Sequence, residues 1–162
     1  MITIERLKSV VNYDCKTGLF TWKLPISNRA KVGHLAGWKQ SDGYHKIAID
    51  KHDYSAHRLA WLYVYGFWPK KHLDHIDGIR DNNMISNLRE ATNSENMQNQ
   101  LNARKDNRTG FLGVGFHKGT GKYVARIGIN GKTLSLGYFD NPESAHQAYV
   151  VAKKKLHVTC SL

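Results

Sequence analysis

The pattern of apolar residues predicts an α+β protein. An N-terminal α/β extension leads into a strand–loop–strand–helix centre, and a small three-stranded antiparallel sheet packed on one helix follows. Three observations carry that expectation. Apolar residues recur at helical spacing in IERLKSVV, SAHRLAWLYVYG and AHQAYVVAKKKL. Short alternating runs bounded by Gly, Asn and Asp fill much of the remainder. Between two apolar regions lies DHIDGIRDNNMISNLREATNSEN, residues 74–96, far richer in polar side chains than a connection needs.

In chain order, Thr3 caps an amphipathic helix with Ile4, Leu7, Val10 and Val11 on one face. GLFTWK (18–23) and YHKIAID (44–50) read as strands, the second preceded by a turn at Ser41-Asp42-Gly43. Residues 55–66 form a buried helix opened by Ser55 and stopped by Gly66, with Leu59, Trp61, Leu62 and Tyr65 as a core stripe. KHLDH (71–75) is a strand entering the polar stretch, and Leu88 to Ala91 returns from it. Thr92 and Glu95 fit a capping box, so a helix runs from about 93 to 104. A polar, basic linker, 103–110, then precedes FLGVGFHK, KYVARIGI and KTLSLGYF. Asn130-Gly131 signals a type I′ hairpin between the last two. Pro142, Glu143 and Ser144 open the final helix, with Ala145, Ala148, Val151, Ala152 and Leu156 spaced to face the sheet.

Charge narrows the function. Lys and Arg number 24 against 13 Asp and Glu, a net +11. The excess is uneven: residues 1–96 carry 14 basic and 10 acidic side chains, residues 97–162 carry 10 and 3. A polyanionic partner is implied, nucleic acid before anionic membrane, and the C-terminal part is the expected docking surface. Cys15 and Cys160 make neither a zinc site nor a disulfide framework, which points to reduced thiols in a cytoplasmic protein. No apolar run approaches the ~18 residues of a membrane span, and the early charges of MITIERLKSVVNYD do not suit a secretory signal.

The polar stretch is where chemistry is expected. Asp74 and His75 end a strand, so their side chains point to opposite faces. If the helix carrying Asn96 packs across the hairpin, Asn96 approaches Asp74. A carboxylate and an amide oxygen are hard donors suited to Mg²⁺ with retained waters, with Mn²⁺ as a substitute, and ill suited to structural zinc. His75 beside such a site suits a general base that activates water. Asp77-Gly78 turns the chain, Asn82 and Asn83 cap loop backbone, and Asn87 spans the loop and fixes the catalytic strand.

HRLAWLYVYGFWP followed by DHIDG, DNN, SNLREAT and SEN resembles the H-N-H endonucleases of the phage and intron homing type, which have a ββα-metal active site. The likeness covers residues 1–100 in general order and is tight over 57–99. It implies a nuclease domain over 1–102 that hydrolyses a phosphodiester bond in double-stranded DNA. By this resemblance His75 is the general base, Asp74 and Asn96 bind the metal, and Asn87 orders the loop. Unlike zinc-ribbon members, the chain has no Cys pairs flanking the motif, and it carries Asn rather than His at the last motif position.

GVGFHKGTGKYVARI and LSLGYFDNPESAHQAY resemble the APETALA-type (ethylene-response-factor) DNA-binding domain over residues 110–157. That resemblance implies a DNA-binding domain over 111–162 whose sheet enters the major groove. Alternation sets Tyr123, Ala125 and Ile127 against the helix and leaves Lys122, Val124 and Arg126 exposed, with His117, Thr133 and Ser135 from the flanking strands. Where the plant domains carry Arg and Trp, Leu112, Gly115, Thr133 and Ser135 stand here, which favours phosphate anchoring. The expected DNA contacts are His117, Lys118, Lys122, Arg126 and Lys132, with Arg58 and Arg80 from the nuclease part. Lys153-Lys154-Lys155 suits a helix C-terminus. The alternative reading is a non-cleaving DNA-binding regulator on the same two domains, and an RNA-acting nuclease is a third.

Overall fold

The computed structural model describes residues 1–27, 30–104, 106–129 and 131–157. Cys160 and Asn130 lie outside the described residues. The chain divides into two compact units, Met1–Thr92 and Asn93–Leu162. The nuclease domain expected over 1–102 extends past that division through the helix that carries Asn96.

The first unit opens with α1 (Ile4–Val10), whose N-cap Thr3 side chain accepts a hydrogen bond from the Arg6 N–H. Leu7 and Val10 are buried on its inner face. Val11 does not continue the helix. It starts β1 (Val11–Asp14), which pairs antiparallel with β2 (Leu19–Trp22). The sequence reading missed β1 because VNYD supplies too short a period to separate it from the preceding helix.

β3 (Trp38–Lys39), β4 (His45–Ile49) and β5 (His52–Ser55) form an antiparallel sheet in that order. β5 was also missed in sequence. Its turn is Asp50-Lys51, both at positive φ (51° and 65°), without the glycine that announces such turns. Arg6 supports this turn through two hydrogen bonds to the Asp50 carboxylate, at 2.9 and 2.7 Å. The pair holds the Asp50 carboxyl below its ordinary range, chiefly through the Arg6 hydrogen bonds.

α2 (Ala56–Tyr65) follows directly, ending at Gly66 in the left-handed conformation (φ 82°). Ser55 occupies the N-cap position without a side-chain capping bond. Ala56, Leu59, Ala60 and Leu62 are buried, and they join Leu7, Val10, Phe20, Ile47, Ile49 and Leu88 in one core. The expected stripe is corrected at its end: Trp61 is half-buried and packs against the core, but Tyr65 is exposed. β6 (His72–His75) and β7 (Leu88–Ala91) then pair antiparallel, with a 3-10 turn at Ile85–Asn87 before β7.

The second unit begins with α3 (Asn93–Gln98), six residues rather than the twelve the capping box suggested. Asn99 and Asn102 follow it, and asparagine competes with helix by bonding nearby backbone. Part of the expected linker is ordered by side chains. Asn107 Oδ1 accepts from the Thr109 N–H and hydroxyl, and Asn107 Nδ2 donates to the Phe111 carbonyl at 2.9 Å.

β8 (Val114–His117), β9 (Lys122–Ile129) and β10 (Lys132–Phe139) form an antiparallel sheet with β9 central, covered by α4 (Pro142–Leu156). Ala125, Ile127, Ala145 and Tyr149 centre its core. Two expectations are corrected. The buried stripe of α4 is Ala145, Tyr149 and Lys153, at strict i,i+4 spacing, whereas Val151 and Leu156 are exposed. The Tyr149 ring takes the space over Gly113, where a Cβ would stand 2.1 Å from Tyr149 Cδ2. Val124, expected at the surface, is 2% exposed although it lies on the sheet face opposite Ala125. Lys153 is also buried, its Nζ donating to the Gln100 carbonyl. No helix among the described residues is long and apolar enough to cross a membrane.

Candidate active site

The β6–β7 pairing sets the site. Register places Asp74 opposite Arg89 and His75 opposite Leu88, so the two neighbours face opposite sides of the ribbon. Between the strands, residues 76–87 form a loop whose polar side chains bond mainly to one another and to loop backbone.

Asn87 spans the loop mouth. Its carbonyl oxygen accepts from the Asp77 N–H at 3.1 Å, and its Nδ2 donates to Asp77 Oδ1 at 2.9 Å and to the Asn82 carbonyl at 2.8 Å. Its backbone carbonyl accepts from the Ile76 N–H at 2.9 Å. Asp77 Oδ1 also accepts from Ile79 N–H, and Asp77 Oδ2 from Asn82 Nδ2. Burial opposes ionisation of Asp77, yet these three donors outweigh it and hold the carboxyl below its ordinary range. Asn83 and Asn87 can be buried within this loop because their polar groups have partners.

His75 is 4% exposed. Its Nε2 lies 3.2 Å from Asn83 Oδ1, and its ring lies against His57 (5.3 Å, edge-on) and Tyr44 (5.9 Å). Burial lowers the imidazole pKa below its ordinary value, against the raising influence of Asn83 and of the Asp77, Asp74 and Asp81 carboxylates. The ring is therefore neutral at physiological pH, the state a proton acceptor needs. His57 is pushed down to about 3, first by burial and then by repulsion from His75 and Arg58. Its Nδ1 is buried without a hydrogen-bond partner.

Asp74 is 6% exposed, and its Oδ2 accepts from Arg89 Nε at 3.1 Å and Nη2 at 2.8 Å. Both bonds end on one oxygen of the carboxylate. Asn96 is the fourth residue of α3, in the second unit, and is exposed. Among the described residues no group of three or more His, Cys, Asp or Glu side chains could hold a metal ion.

Two arginines expected at DNA are engaged within the first unit. Arg58 lies over the Trp68 ring at 5.7 Å. Arg80 donates to the Asp42 carbonyl at 2.7 Å and lies over Tyr44 at 5.1 Å, which ties the loop to the β3–β4 turn. In the second unit Lys118, Arg126 and Lys132 are exposed, while His117 is half-buried, with Nδ1 3.1 Å from Thr120 Oγ1. Lys122 pairs with Asp140 at 3.0 Å, an exposed bridge of small energetic weight. Register puts Lys122 and Arg126 on the sheet face opposite Ala125 and Ile127.

Sequence reasoning gave Asn83 a place in the turn and the capping of loop backbone, which its Nδ2 performs at the Asp81 carbonyl, but not its burial (3% exposed) or its bond to His75. It overlooked Tyr13, whose hydroxyl donates to the Asn83 carbonyl at 2.7 Å, and Tyr44. No local signal could reveal them, since Tyr13 is 70 residues from its partner. His57 beside a polar motif was the one available hint.

Comparison with known proteins bears on this geometry. Residues 54–98 match the family model described as HNH endonuclease, a span that runs from β5 to the end of α3 and contains Asp74, His75, Asn87 and Asn96. DNA endonuclease I-HmuI of Bacillus phage SP01 is 36% identical over 87 residues, covering 47% of this chain and 50% of that protein. The chain therefore spans about half the length of the curated relative it matches. A solved structure of DNA binding and cleavage by the HNH homing endonuclease I-HmuI is similar over 95% of this chain and 85% of that one, with a TM-score of 0.46 and 21% identity. From Tyr54 to Gln98, the segment that contains the β6–β7 ribbon is thus similar to the HNH endonuclease family.

Proposed function

We propose that the chain is a metal-dependent DNA endonuclease of the HNH homing type, which hydrolyses a phosphodiester bond in double-stranded DNA. One observation carries this reading: the HNH match falls on a strand end where a neutral, buried His75 meets a loop braced by Asn87. His75 takes a proton from the water that attacks the scissile phosphorus in line. Asn87 keeps the strand ends in register with the loop, so the imidazole does not shift as substrate binds. Asp74 and Asn96 fit a hard divalent cation by donor chemistry, Mg²⁺ with Mn²⁺ as a substitute. When bound, such an ion would supply Lewis-acid stabilisation of the charge developing on the phosphate and the departing 3′ oxygen. Arg89, paired with Asp74 at 2.8 Å, orients that carboxylate.

The C-terminal unit is the DNA-anchoring part in this reading. Its Lys118, Lys122, Arg126 and Lys132, with His117, would meet phosphates, and the concentration of positive charge in residues 97–162 supports that role.

Incubation with supercoiled plasmid tests the proposal. The parent protein should nick or linearise plasmid with Mg²⁺ or Mn²⁺ and lose activity with EDTA. His75→Ala should lose about 10²- to 10⁴-fold in rate while still retarding DNA in a gel. Intact plasmid with both proteins across both metals would leave the non-cleaving DNA-binding reading in its place.

A further inference from the structure

His75 has two ring nitrogens, and which of them carries the proton decides which can accept one. The surroundings of Asn83 fix that choice. Asn83 Nδ2 donates to the Asp81 backbone carbonyl at 3.2 Å, and a carbonyl can only accept. The amide is therefore oriented with Oδ1 toward His75 Nε2, 3.2 Å away. An amide oxygen also only accepts, so Nε2 must be the protonated nitrogen.

Asn83 is itself held from outside the loop. Its backbone carbonyl accepts the Tyr13 hydroxyl at 2.7 Å, and Tyr13 belongs to the N-terminal β1–β2 hairpin. The turn of that hairpin presses on the same place. Gly18 (φ 73°) sits so close that a Cβ there would stand 2.4 Å from Met84 N and 2.5 Å from the Asn83 carbonyl carbon. The hairpin, residues 11–22, lies wholly outside the HNH match at 54–98.

We propose that Asn83, clamped by Tyr13 and Gly18 of the N-terminal hairpin, is a positioning residue that holds the His75 ring protonated on Nε2, with its basic lone pair on Nδ1. The inference rests on His75 as the base of the proposed nuclease, and it assigns a catalytic task to the N-terminal extension. The hairpin supplies the rigid outer support that a side chain on a loop lacks.

Nitrogen-15 NMR of the histidine side chains in the full-length protein, near pH 7.5, tests it without reference to cleavage. The parent should show His75 in the Nε2–H form, with a slowly exchanging Nε2 proton. Asn83→Ala should speed exchange of that proton at least tenfold, and the milder Tyr13→Phe should do so by a smaller factor. Asn83→Asp, which keeps an acceptor oxygen, should retain the Nε2–H form. In plasmid nicking, Asn83→Ala and Tyr13→Phe should lower kcat by about 10- to 100-fold with KM nearly unchanged. A parent His75 protonated on Nδ1 overturns the proposal, as does an Nε2 proton unaffected in both Asn83→Ala and Tyr13→Phe. Absence of cleavage by the parent would refute the nuclease reading alone, because the tautomer and exchange measurements do not depend on it.

Discussion

At the scale of single residues, the site shows how burial decides protonation. His57 and His75 are packed edge to face, and burial keeps both in their neutral forms. In the unfolded chain each regains an ordinary pKa near 6.5. Below that value the unfolded state binds protons that the folded state does not, so stability is present above about pH 6.5 and is lost as pH falls toward 3. Each such histidine contributes a slope of at most about 1.4 kcal/mol per pH unit. Urea unfolding between pH 7.5 and 4.5 should show this slope, and His57→Leu should flatten it relative to the parent. An unchanged slope in the variant would place the acid sensitivity elsewhere. Asn87 makes the complementary case. Asn87→Ala removes the side-chain partners of the Asp77 N–H and the Asn82 carbonyl and one of the three donors to the Asp77 carboxylate. Partly buried groups left unpaired should cost about 1–3 kcal/mol, read as a lower urea midpoint.

At the scale of elements, the β1–β2 hairpin and the β6–β7 ribbon meet through the loop between β6 and β7. Gly18 is where the hairpin comes closest, and both its positive φ and its contact with Met84 backbone exclude a side chain. Gly18→Ala should therefore destabilise the protein by at least about 1–2 kcal/mol from the left-handed backbone alone. Displacement of the 83–84 backbone adds to this. Differential scanning calorimetry reads the stability loss, and plasmid nicking should fall further than the lost stability explains. In the second unit, Gly113 has the same relation to Tyr149 of α4. A methyl group at 113 would push the helix from the sheet, so Gly113→Ala should lower the stability of the second unit, read by calorimetry.

At the scale of the whole molecule, the charge distribution separates two tasks. Residues 1–96 carry the smaller excess, 14 basic against 10 acidic side chains, and Arg58, Arg80 and Arg89 are occupied with Trp68, Asp42 and Asp74. The larger excess, 10 basic against 3 acidic, lies in residues 97–162. In the proposed nuclease, affinity for DNA should fall steeply with salt, because released counterions drive phosphate binding. Replacing Lys118 or Arg126 by Ala should lower the slope of log K against log salt by about one each and weaken all sequences alike. Slopes unchanged in both variants would remove this sheet from the DNA interface. His75→Ala should leave the slope as it is, since the base makes no phosphate contact.

The sequence by itself determined the order of elements over most of the chain and the place where chemistry was expected. Helical spacing, the Gly66 stop and the alternation of residues 122–127 are local properties, legible because each depends on neighbours a few positions away. The dense polar run at 74–96 was legible for the same reason: too many hydrogen-bonding groups for a connection imply that something is being built. Short elements without turn signals, β1 and β5, were not legible, since the Asp50-Lys51 turn takes a conformation usually reserved for Gly or Asn. Nor was the phase of α4, where one ring lying over Gly113 outweighed the apolar count. Tertiary structure alone decided that Asn83 faces His75 rather than the solvent, that Tyr13 holds Asn83 from 70 residues away, and that Arg80 stacks on Tyr44. Those choices depend on which surfaces meet once the core has closed, and no local pattern encodes a contact made across that distance.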